Sequence, residues 1–364
     1  MSVADGELQN TNPDAFNLQG VSVPRVTRAW YILCQSKELK NKPVRQYLWG
    51  VPIVLFRDSA GVAGALLDRC PHRSIPLSQG KVCGDRLQCP YHGWEFERTG
   101  ECARVPGLVD QTPAPHRSAV SYAVTEQEGF VWVYATPGVE PESRPFSFTK
   151  ADQPGYVTVR HEVSACCSIH AIAENALDVP HTAYLHGGLF RTASSTNRIR
   201  AVLERGHDRA HVEYLGEPRP QGLMGRILAP GGGVVTHFDR FYLPSIVEVE
   251  YKIGDDLHLV SYGAATPVSD FETRLFGVVT LKSRFPRWLV RPIIQPLGFK
   301  IFGQDARILK MQTEQIGRFK EEKFVSTDLD LLGPHILRLL RRAAQGELQP
   351  SDAEPYRKEI EMEV

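Results

Sequence analysis

The chain has 364 residues, of which 42% are hydrophobic and 23% are charged, as in ordinary soluble globular proteins. Lysine plus arginine equals aspartate plus glutamate at 42 each, so no overall field favours nucleic acid or an anionic membrane as a partner. We see no secretory signal and no apolar run of about 18 residues, so we expect no transmembrane segment and a cytoplasmic location.

Residues 28–138 are predicted to form a small all-β domain, because β-rich runs recur there between Gly, Asp and Pro punctuation. A proline-rich, polar stretch at 139–155 is predicted to be the linker to a second domain. The seven cysteines are an odd number at scattered spacings, which excludes a secreted disulfide framework and favours free thiols outside any metal site.

Residues 156–348 are predicted to form a larger α+β domain, an antiparallel sheet with packed helices. Its helices are expected at 170–186, interrupted near Pro180, and at 302–322 and 332–345. We expect residues 1–27 to pack on this domain and residues 349–364 to form a C-terminal tail. The apolar and cationic segment 286–302 is interpreted as a buried loop entering a helix, with a membrane or partner contact as the alternative.

Two mixed cysteine–histidine pairs lie in CPHRSIPLSQGKVCGDRLQCPYHGW: Cys70 with His72, and Cys89 with His92. A structural zinc site is one interpretation, but zinc fingers space their ligands differently. Two pairs that each offer one thiolate and one imidazole could instead place both cysteines on one iron and both histidines on another, as in a Rieske [2Fe–2S] cluster.

The segments CPHR and CPYHGW resemble the Rieske domain of the Rieske non-haem iron oxygenases. The resemblance implies that Cys70 and Cys89 bind the inner iron, that His72 and His92 bind the outer iron, and that Trp94 shields the cluster. Respiratory Rieske proteins carry an extra cysteine in each ligand loop, and these two loops have none.

A second motif lies in ENALDVPHTAYLH. Two histidines near a helix end are, on spacing alone, ordinary polar residues more often than metal ligands. However, the pattern N-x-x-D-x-x-H-x-x-x-x-H resembles the catalytic iron motif of the same family and is matched by Asn175, Asp178, His181 and His186. The resemblance implies that His181 and His186 bind a mononuclear Fe(II).

Such an iron takes a third, carboxylate ligand on the same face, and Asp305 is our candidate. Asp305 falls on the apolar stripe of a predicted helix, where a carboxylate is costly unless it is paired or bound to metal. A helix-dipole interaction near the helix start is the alternative. The segment GQD-x-x-I-L also resembles the third-ligand segment of the family.

The resemblance implies a catalytic domain of the helix-grip type and a homotrimer in which Asp178 links His181 to His92 of the next subunit. A carboxylate that acts within one subunit is the alternative for Asp178. The implied activity is that of a terminal oxygenase, which uses O2 and electrons from NAD(P)H through a ferredoxin and/or flavin reductase.

The branch that contains chlorophyll-breakdown and sterol-type oxygenases is the most similar, which favours hydroxylation or oxidative demethylation of an apolar ring compound. Two alternatives stay open: a ring cis-dihydroxylating dioxygenase, and a Rieske electron carrier without catalytic iron.

Overall fold

The computed structural model describes residues 23–186, 197–218, 233–254, 257–283, 286–347, 349, 351 and 355–363. Most of the segment 1–27, which was expected to pack on the catalytic domain, therefore lies outside the described residues. None of the helices in these described ranges combines the length and the hydropathy needed to cross a bilayer.

Short antiparallel strands make up the N-terminal part of the molecule. They are β1 Trp30–Gln35, β2 Val44–Leu48, β3 Val51–Arg57, β4 Ala63–Leu67, β5 Lys81–Cys83, β6 Arg86–Gln88, β7 Glu95–Phe96, β8 Cys102–Arg104, β9 Ser121–Tyr122, β10 Val124–Gln127 and β11 Phe130–Tyr134. They pair as three sheets, in the orders β1-β11-β10, β2-β3-β4-β9 and β5-β6-β7-β8. A hairpin connects β2 to β3 through Trp49 and Gly50, both with positive φ, as a two-residue turn requires.

One large antiparallel sheet forms the C-terminal part. Its strands are β12 Tyr156–Ala165, β13 Arg198–Arg205, β14 Arg209–Leu215, β15 Val235–Tyr242, β16 Ile246–Ile253, β17 Leu257–Ser269, β18 Glu272–Lys282 and β19 Tyr356–Glu363. Their order is β12-β18-β17-β16-β15-β14-β13-β19. Strands β16 and β17 are consecutive and pair with each other, and residues 255 and 256 between them lie outside the described part.

The helices are α1 Ile169–Ala176, α2 His181–Leu185, α3 Arg287–Phe319 and α4 Gly333–Ala344. Leu339 and Leu340 of α4 belong to the same buried cluster as Ala201 and Leu203 of β13, so α4 covers the inner face of the sheet. The architecture confirms the predicted α+β class, with a small all-β part and a larger sheet carrying helices.

An aromatic core joins the two parts. Trp132 of β11 and Phe276 of β18 are fully buried in one cluster. Phe148 belongs to the same cluster although it falls in the predicted linker, and its ring lies 5.4 Å from that of Tyr262. The domain boundaries remain a prediction, but this linker residue is packed rather than solvated.

One local expectation was wrong, and the predicted C-terminal tail contains a strand. Residues 286–302 are not a buried loop, because α3 begins at Arg287 and Trp288 is 74% exposed. Pro292 and Pro296 lie inside this helix, and the carbonyl groups that they leave free belong to exposed turns that water can reach. The predicted C-terminal tail contains β19, which pairs with β13 along its length and buries Met362.

Candidate active site

The two cysteine–histidine loops have the same backbone geometry. The amide of Cys70 donates to the carbonyl of Ile75 at 2.8 Å, and the amide of Ser74 donates to the carbonyl of Cys70 at 2.9 Å. The second loop repeats both bonds, from Cys89 to Trp94 at 2.8 Å and from Gly93 to Cys89 at 3.2 Å. Ser74 and Gly93 occupy the same place in their loops and both have positive φ. The fold therefore presents one ligand turn twice.

The four candidate ligands are divided by burial. Cys70 and Cys89 are 2% and 3% exposed, whereas His92 is exposed at the tip beside Tyr91. The rings of His72 and His92 lie 4.6 Å apart. This arrangement places the sulfur ligands inside the protein and the imidazoles at its surface.

The loops fit a cluster chemically. Burial, and to a smaller extent the adjacent Cys89 thiol, raise the pKa of Cys70 to about 11, so that metal binding must displace a proton there. Burial and then His92 lower the pKa of His72, which keeps its imidazole neutral as a ligand must be. Nδ1 of His72 is buried and makes no hydrogen bond to any described residue. Trp94 stacks on the same ring at 4.7 Å, the position that the shielding role requires.

A buried carboxylate fixes the first loop. Asp68 accepts hydrogen bonds from the amide and hydroxyl groups of Ser78, at 2.6 and 2.7 Å, and pairs with Arg45. These bonds tie the chain on both sides of Cys70 to strand β2. Sequence reasoning missed Asp68, although its position two residues before the first cysteine was available.

The second candidate site is built where the helix breaks. Helix α1 ends at Ala176 and α2 begins at His181, directly after Pro180, as the proline predicts. Asp178 accepts a hydrogen bond from the backbone amide of His181 at 3.3 Å, which stabilises the start of α2. His186 caps the C-terminal end of α2 and is 3% exposed.

Asp305 of α3 meets both histidines. Its Oδ1 atom lies 3.1 Å from Nε2 of His186 and 3.7 Å from Nε2 of His181. The candidate ligand atoms of these three residues all lie within 4.8 Å of one another. Among the described residues, this is the one group of three or more His, Cys, Asp or Glu side chains in which one ligand atom from each residue meets all the others within that distance.

The other ring nitrogens are held by polar partners. Nδ1 of His186 lies at hydrogen-bond distance, 3.0 Å, from Oε1 of Gln304. Nδ1 of His181 lies 3.3 Å from Oδ2 of Asp178, close enough for an ion pair but without a well-aligned hydrogen bond. Partners at Nδ1 select the tautomer in which Nε2 carries the lone pair for a metal. Gln304 was not predicted as a site residue, although it precedes Asp305 in the GQD segment.

Burial and the neighbouring charges shift the pKa values of Asp305 and His181. Burial raises the pKa of Asp305, while His186, His181 and a hydrogen bond from Asn175 lower it. Burial lowers the pKa of His181, but Asp178 and Asp305 raise it by more. Oδ1 of Asp305 is buried and lacks a well-aligned hydrogen bond within the described chain. Two imidazoles and one carboxylate on one face are the donor set of a non-haem Fe(II) centre, and the geometry fits it.

An open cavity of about 820 Å³ lies beside this triad. Its lining includes His181, Asp178 and Asn175 on one side and the apolar Leu309 and Phe324 on the other. The side chain of Asp178 is 33% exposed, so it can be reached from outside the subunit.

A second polar cluster lies nearby in the sheet and was not predicted. His237 is 1% exposed, with Nδ1 2.8 Å from Glu217 Oε2 and Nε2 3.1 Å from Asp239 Oδ1. The rings of Tyr214 and Tyr251 stack on its two faces, at 4.5 and 3.9 Å. Tyr214 also lines a cavity of about 20 Å³ together with Asp178, which connects this cluster to the surroundings of the triad.

Comparison with known families matches both parts of the chain. Residues 29–118 match the Rieske [2Fe-2S] domain, and residues 165–346 match the vanillate O-demethylase oxygenase C-terminal domain.

Individual relatives cover the chain to different extents. The dicamba O-demethylase oxygenase component of Stenotrophomonas maltophilia is 35% identical over 56% of this chain and 60% of its own length. Protein TIC 55 of Arabidopsis thaliana is 29% identical over 84% of this chain, which spans 56% of that relative. The vanillate O-demethylase oxygenase subunit of Pseudomonas sp. (strain HR199 / DSM 7063) is 25% identical over 89% of this chain and 96% of its own. The chain thus spans little more than half of two of these relatives.

The fold has solved counterparts. Dicamba monooxygenase bound to 3,6-dichlorosalicylic acid superposes with a TM-score of 0.78 at 22% identity, over 89% of this chain and 99% of that one. With a Rieske domain match, a C-terminal oxygenase domain match over residues 165–346 and this shared fold, the chain belongs to the Rieske non-haem iron oxygenases.

Proposed function

We propose that this chain is the terminal oxygenase component of a multicomponent system that oxidises an apolar, ring-containing compound with O2. The observation that carries the proposal is the convergence of His181, His186 and Asp305 in a chain that also has two Rieske ligand loops. An electron carrier would need the loops alone.

The cofactors of the family are a [2Fe–2S] cluster and a mononuclear non-haem iron, and the chain offers a ligand set for each. Cys70, Cys89, His72 and His92 hold the first, and the histidine–aspartate triad holds the second. When bound, the cluster supplies single electrons and the mononuclear iron supplies the activation of dioxygen.

The chain's own residues prepare the second site. Asp178 and Gln304 fix the two imidazole rings so that both Nε2 atoms face Asp305. Burial raises the pKa of Asp305, and a hydrogen bond from Asn175 opposes this shift in part, because it favours the ionised carboxylate. The three ligand side chains are at most 20% exposed and lie beside the open cavity, from which a bound substrate would exclude water.

The electron route that we propose crosses between subunits of a homotrimer. His92 and Tyr91 stand exposed at one tip of the molecule, and Asp178 is exposed in the cavity beside His181. Asp178 of one subunit would accept a hydrogen bond from His92 of a neighbouring subunit and thereby connect the two centres. A ferredoxin and/or flavin reductase in the cytoplasm would supply the electrons from NAD(P)H.

The reaction class that we favour is oxidative demethylation or hydroxylation rather than cis-dihydroxylation, because two of the relatives are named as O-demethylases. For an aryl methyl ether, the balanced reaction consumes one O2, one NADH and one proton. It yields the phenol, formaldehyde, water and NAD⁺. A ring dihydroxylase would instead place both oxygen atoms on the ring and release no formaldehyde.

The test begins with metal content. An anaerobically reconstituted chain should hold three irons for an oxygenase, two for an electron carrier, and zinc for a structural site. His181→Ala should hold two irons and keep the visible cluster spectrum, whereas His207→Ala, outside the triad, should hold three. A wild-type chain that holds only two irons would contradict the proposal.

Turnover is the second measurement. The reconstituted chain is supplied with a ferredoxin, a ferredoxin reductase and NADH, and formaldehyde is measured with vanillate and dicamba as probes. His181→Ala should abolish O2-dependent formaldehyde release with an active probe, while His207→Ala should retain it. Turnover by His181→Ala equal to wild type would reject the ligand assignment.

A further inference from the structure

Within the described part of the chain, a buried arginine at the far end of the large sheet has no anionic partner. Arg205 is the last residue of β13, is 7% exposed and lies on the sheet face that α4 covers. Its Nη1 atom lies 2.8 Å from Nδ1 of His335, and its guanidinium group lies 5.2 Å from the ring centre of Tyr356. Neither of these neighbours carries a negative charge.

The surroundings of Arg205 are themselves cationic. Burial lowers the pKa of Arg205, and Arg338 and Arg342 lower it further. No carboxylate in the described ranges forms an ion pair with this guanidinium group, and its Nε is buried without a hydrogen-bond acceptor. A buried cation without a counter-charge is costly, so this arrangement indicates a missing anion.

A second guanidinium group has a free donor. Arg342 of α4 pairs through Nε with Glu347 at 3.0 Å, but its Nη2 is buried without an acceptor among the described residues. Arg338 and Arg342 are four residues apart on α4 and therefore share a helix face, with His335 one turn earlier. The donors come from a strand and a helix that approach each other over Tyr356.

The local charge is positive overall. Lys358 of β19 adds a cation that is paired with Asp328 at 2.6 Å. Two carboxylates form ion pairs here, Glu347 with Arg342 and Asp328 with Lys358. The same region holds four cationic side chains: Arg205, Arg338, Arg342 and Lys358. Burial lowers the pKa of His335 to about 4, with Arg205 and Arg338 adding to the shift, so this histidine stays neutral and accepts from Arg205.

We propose that the Arg205 cluster, defined as Arg205, His335, Arg338 and Arg342, binds a small oxyanion. Its oxygens would accept from Nε of Arg205 and Nη2 of Arg342, the two donors that the fold leaves unused. Guanidinium groups bind phosphate and carboxylate through paired N–H donors, so either anion has the required chemistry. The bound anion holds α4 against the edge of the sheet formed by β13 and β19.

This site is distinct from the candidate active site. The cavity beside the histidine–aspartate triad is lined by Leu337 and Arg341, which lie on a different face of α4 from Arg338 and Arg342. The proposal therefore does not depend on the oxygenase function.

The test uses the full reconstituted chain at pH 7.5, with sodium chloride adjusted so that ionic strength stays constant. Sodium phosphate and sodium acetate are titrated separately, and the unfolding temperature and the heat of binding are measured. We expect phosphate, acetate or both to raise the unfolding temperature to a plateau as the anion saturates its site. The anion with the larger rise and the tighter binding identifies the class of ligand.

Variants locate the effect. Arg205→Met and Arg342→Met should each weaken anion binding by roughly tenfold or more, as expected for the loss of a charge-assisted hydrogen bond. Arg200→Met is the matched control, because Arg200 lies on the outer face of the same strand and pairs with Glu359. It should leave binding unchanged. Arg338→Gln changes an exposed side chain that the fold does not require, and it should weaken binding by a smaller factor.

The stability of Arg205→Met in chloride alone gives an independent readout. Because the substitution removes an unpaired buried cation, this variant should unfold at the wild-type temperature or above it when no oxyanion is present. The proposal is overturned if neither anion stabilises the wild type more than chloride does. It is equally overturned if the anion-dependent shift survives in both Arg205→Met and Arg342→Met.

Discussion

Replacement of Asp305 by asparagine separates the metal-binding role of this side chain from a structural one. Oδ1 of Asp305 lies 3.1 and 3.7 Å from the Nε2 atoms of His186 and His181, and burial raises the pKa of the carboxyl group. Asp305→Asn keeps the shape and removes the charge. If the carboxylate is present to bind iron, its loss should remove iron-dependent stabilisation while costing the metal-free protein nothing.

The size of the effect follows from linkage. Fe(II) at a hundred times its dissociation constant stabilises the folded state by about 2.7 kcal/mol. For a domain of the size predicted here, this corresponds to a rise of roughly 5–10 °C in the unfolding temperature. We expect that rise in the wild type and less than a third of it in Asp305→Asn under the same conditions.

The metal-free proteins should differ in their pH dependence. A carboxyl group whose folded-state pKa is raised binds a proton more tightly in the folded state, so it adds stability as the pH falls and removes stability as the pH rises. Metal-free wild type should therefore lose stability with rising pH relative to Asp305→Asn. Near pH 8 the variant should be at least as stable as the wild type.

Anaerobic calorimetry with and without Fe(II), together with the visible absorbance of the cluster, makes the measurement. Glu314→Gln is the matched control. Glu314 lies on the same helix, but it is exposed and its carboxylate makes only a long contact, 4.0 Å, with the exposed Lys310. An undiminished iron-dependent shift in Asp305→Asn would refute the reasoning. So would a metal-free variant that unfolds well below metal-free wild type, because the carboxylate would then be a structural partner of the histidines.

Two further predictions concern the ligand loops and the buried polar cluster. Gly93 has φ +70°, and a Cβ atom there would lie 3.1 Å from Pro106, so Gly93→Val should cost about 1–3 kcal/mol and lower the cluster content measured by visible absorbance. Ser74→Gly, at the same place in the other loop, should retain full content; an intact cluster in Gly93→Val would contradict the assigned strain. His237 has its pKa raised to about 9, because the two carboxylates that flank it outweigh burial, so it contributes stability below pH 6.5 that is lost as the pH rises through 9. The contribution is at most about 3 kcal/mol and should be absent in His237→Gln in denaturant titrations at pH 6.5 and 9.5; equal pH dependence in both proteins would contradict it.

Local patterns were sufficient for the two ligand loops. Each loop is closed by hydrogen bonds within six residues, so the identity and spacing of Cys70, His72, Cys89 and His92 already contain its geometry. The break between α1 and α2 was also local, since Pro180 alone prevents a continuous helix. Both features were read from short segments without knowledge of the sheet.

Contacts between distant segments explain what the sequence did not reveal. Gln304 holds His186 across a separation of 118 residues, and no local pattern encodes that pairing. Strand β19 has the sequence YRKEIEME, in which alternation of charged and apolar residues is too weak to predict a strand. Its extended conformation becomes evident from its pairing with β13. The first half of α3 contains two prolines, which predict an interruption, but its exposed surface lets water satisfy the backbone groups that the prolines leave free.

The same distinction separates the ligands of the second site from the groups that orient them. His181 begins one short helix and His186 caps its end, and their spacing gives the donor atoms, but two imidazoles so placed can point in several directions. Asp178 fixes the first ring from within the same segment, whereas Gln304 and Asp305 arrive together on α3 and fix the second ring and complete the triad. Adjacent residues of one helix therefore act as ligand and ligand support, which makes the position of α3 against α2 the geometric variable that controls the site. A substitution that displaces α3 should therefore disturb His186 and Asp305 together, while the contact between His181 and Asp178 should stay unchanged.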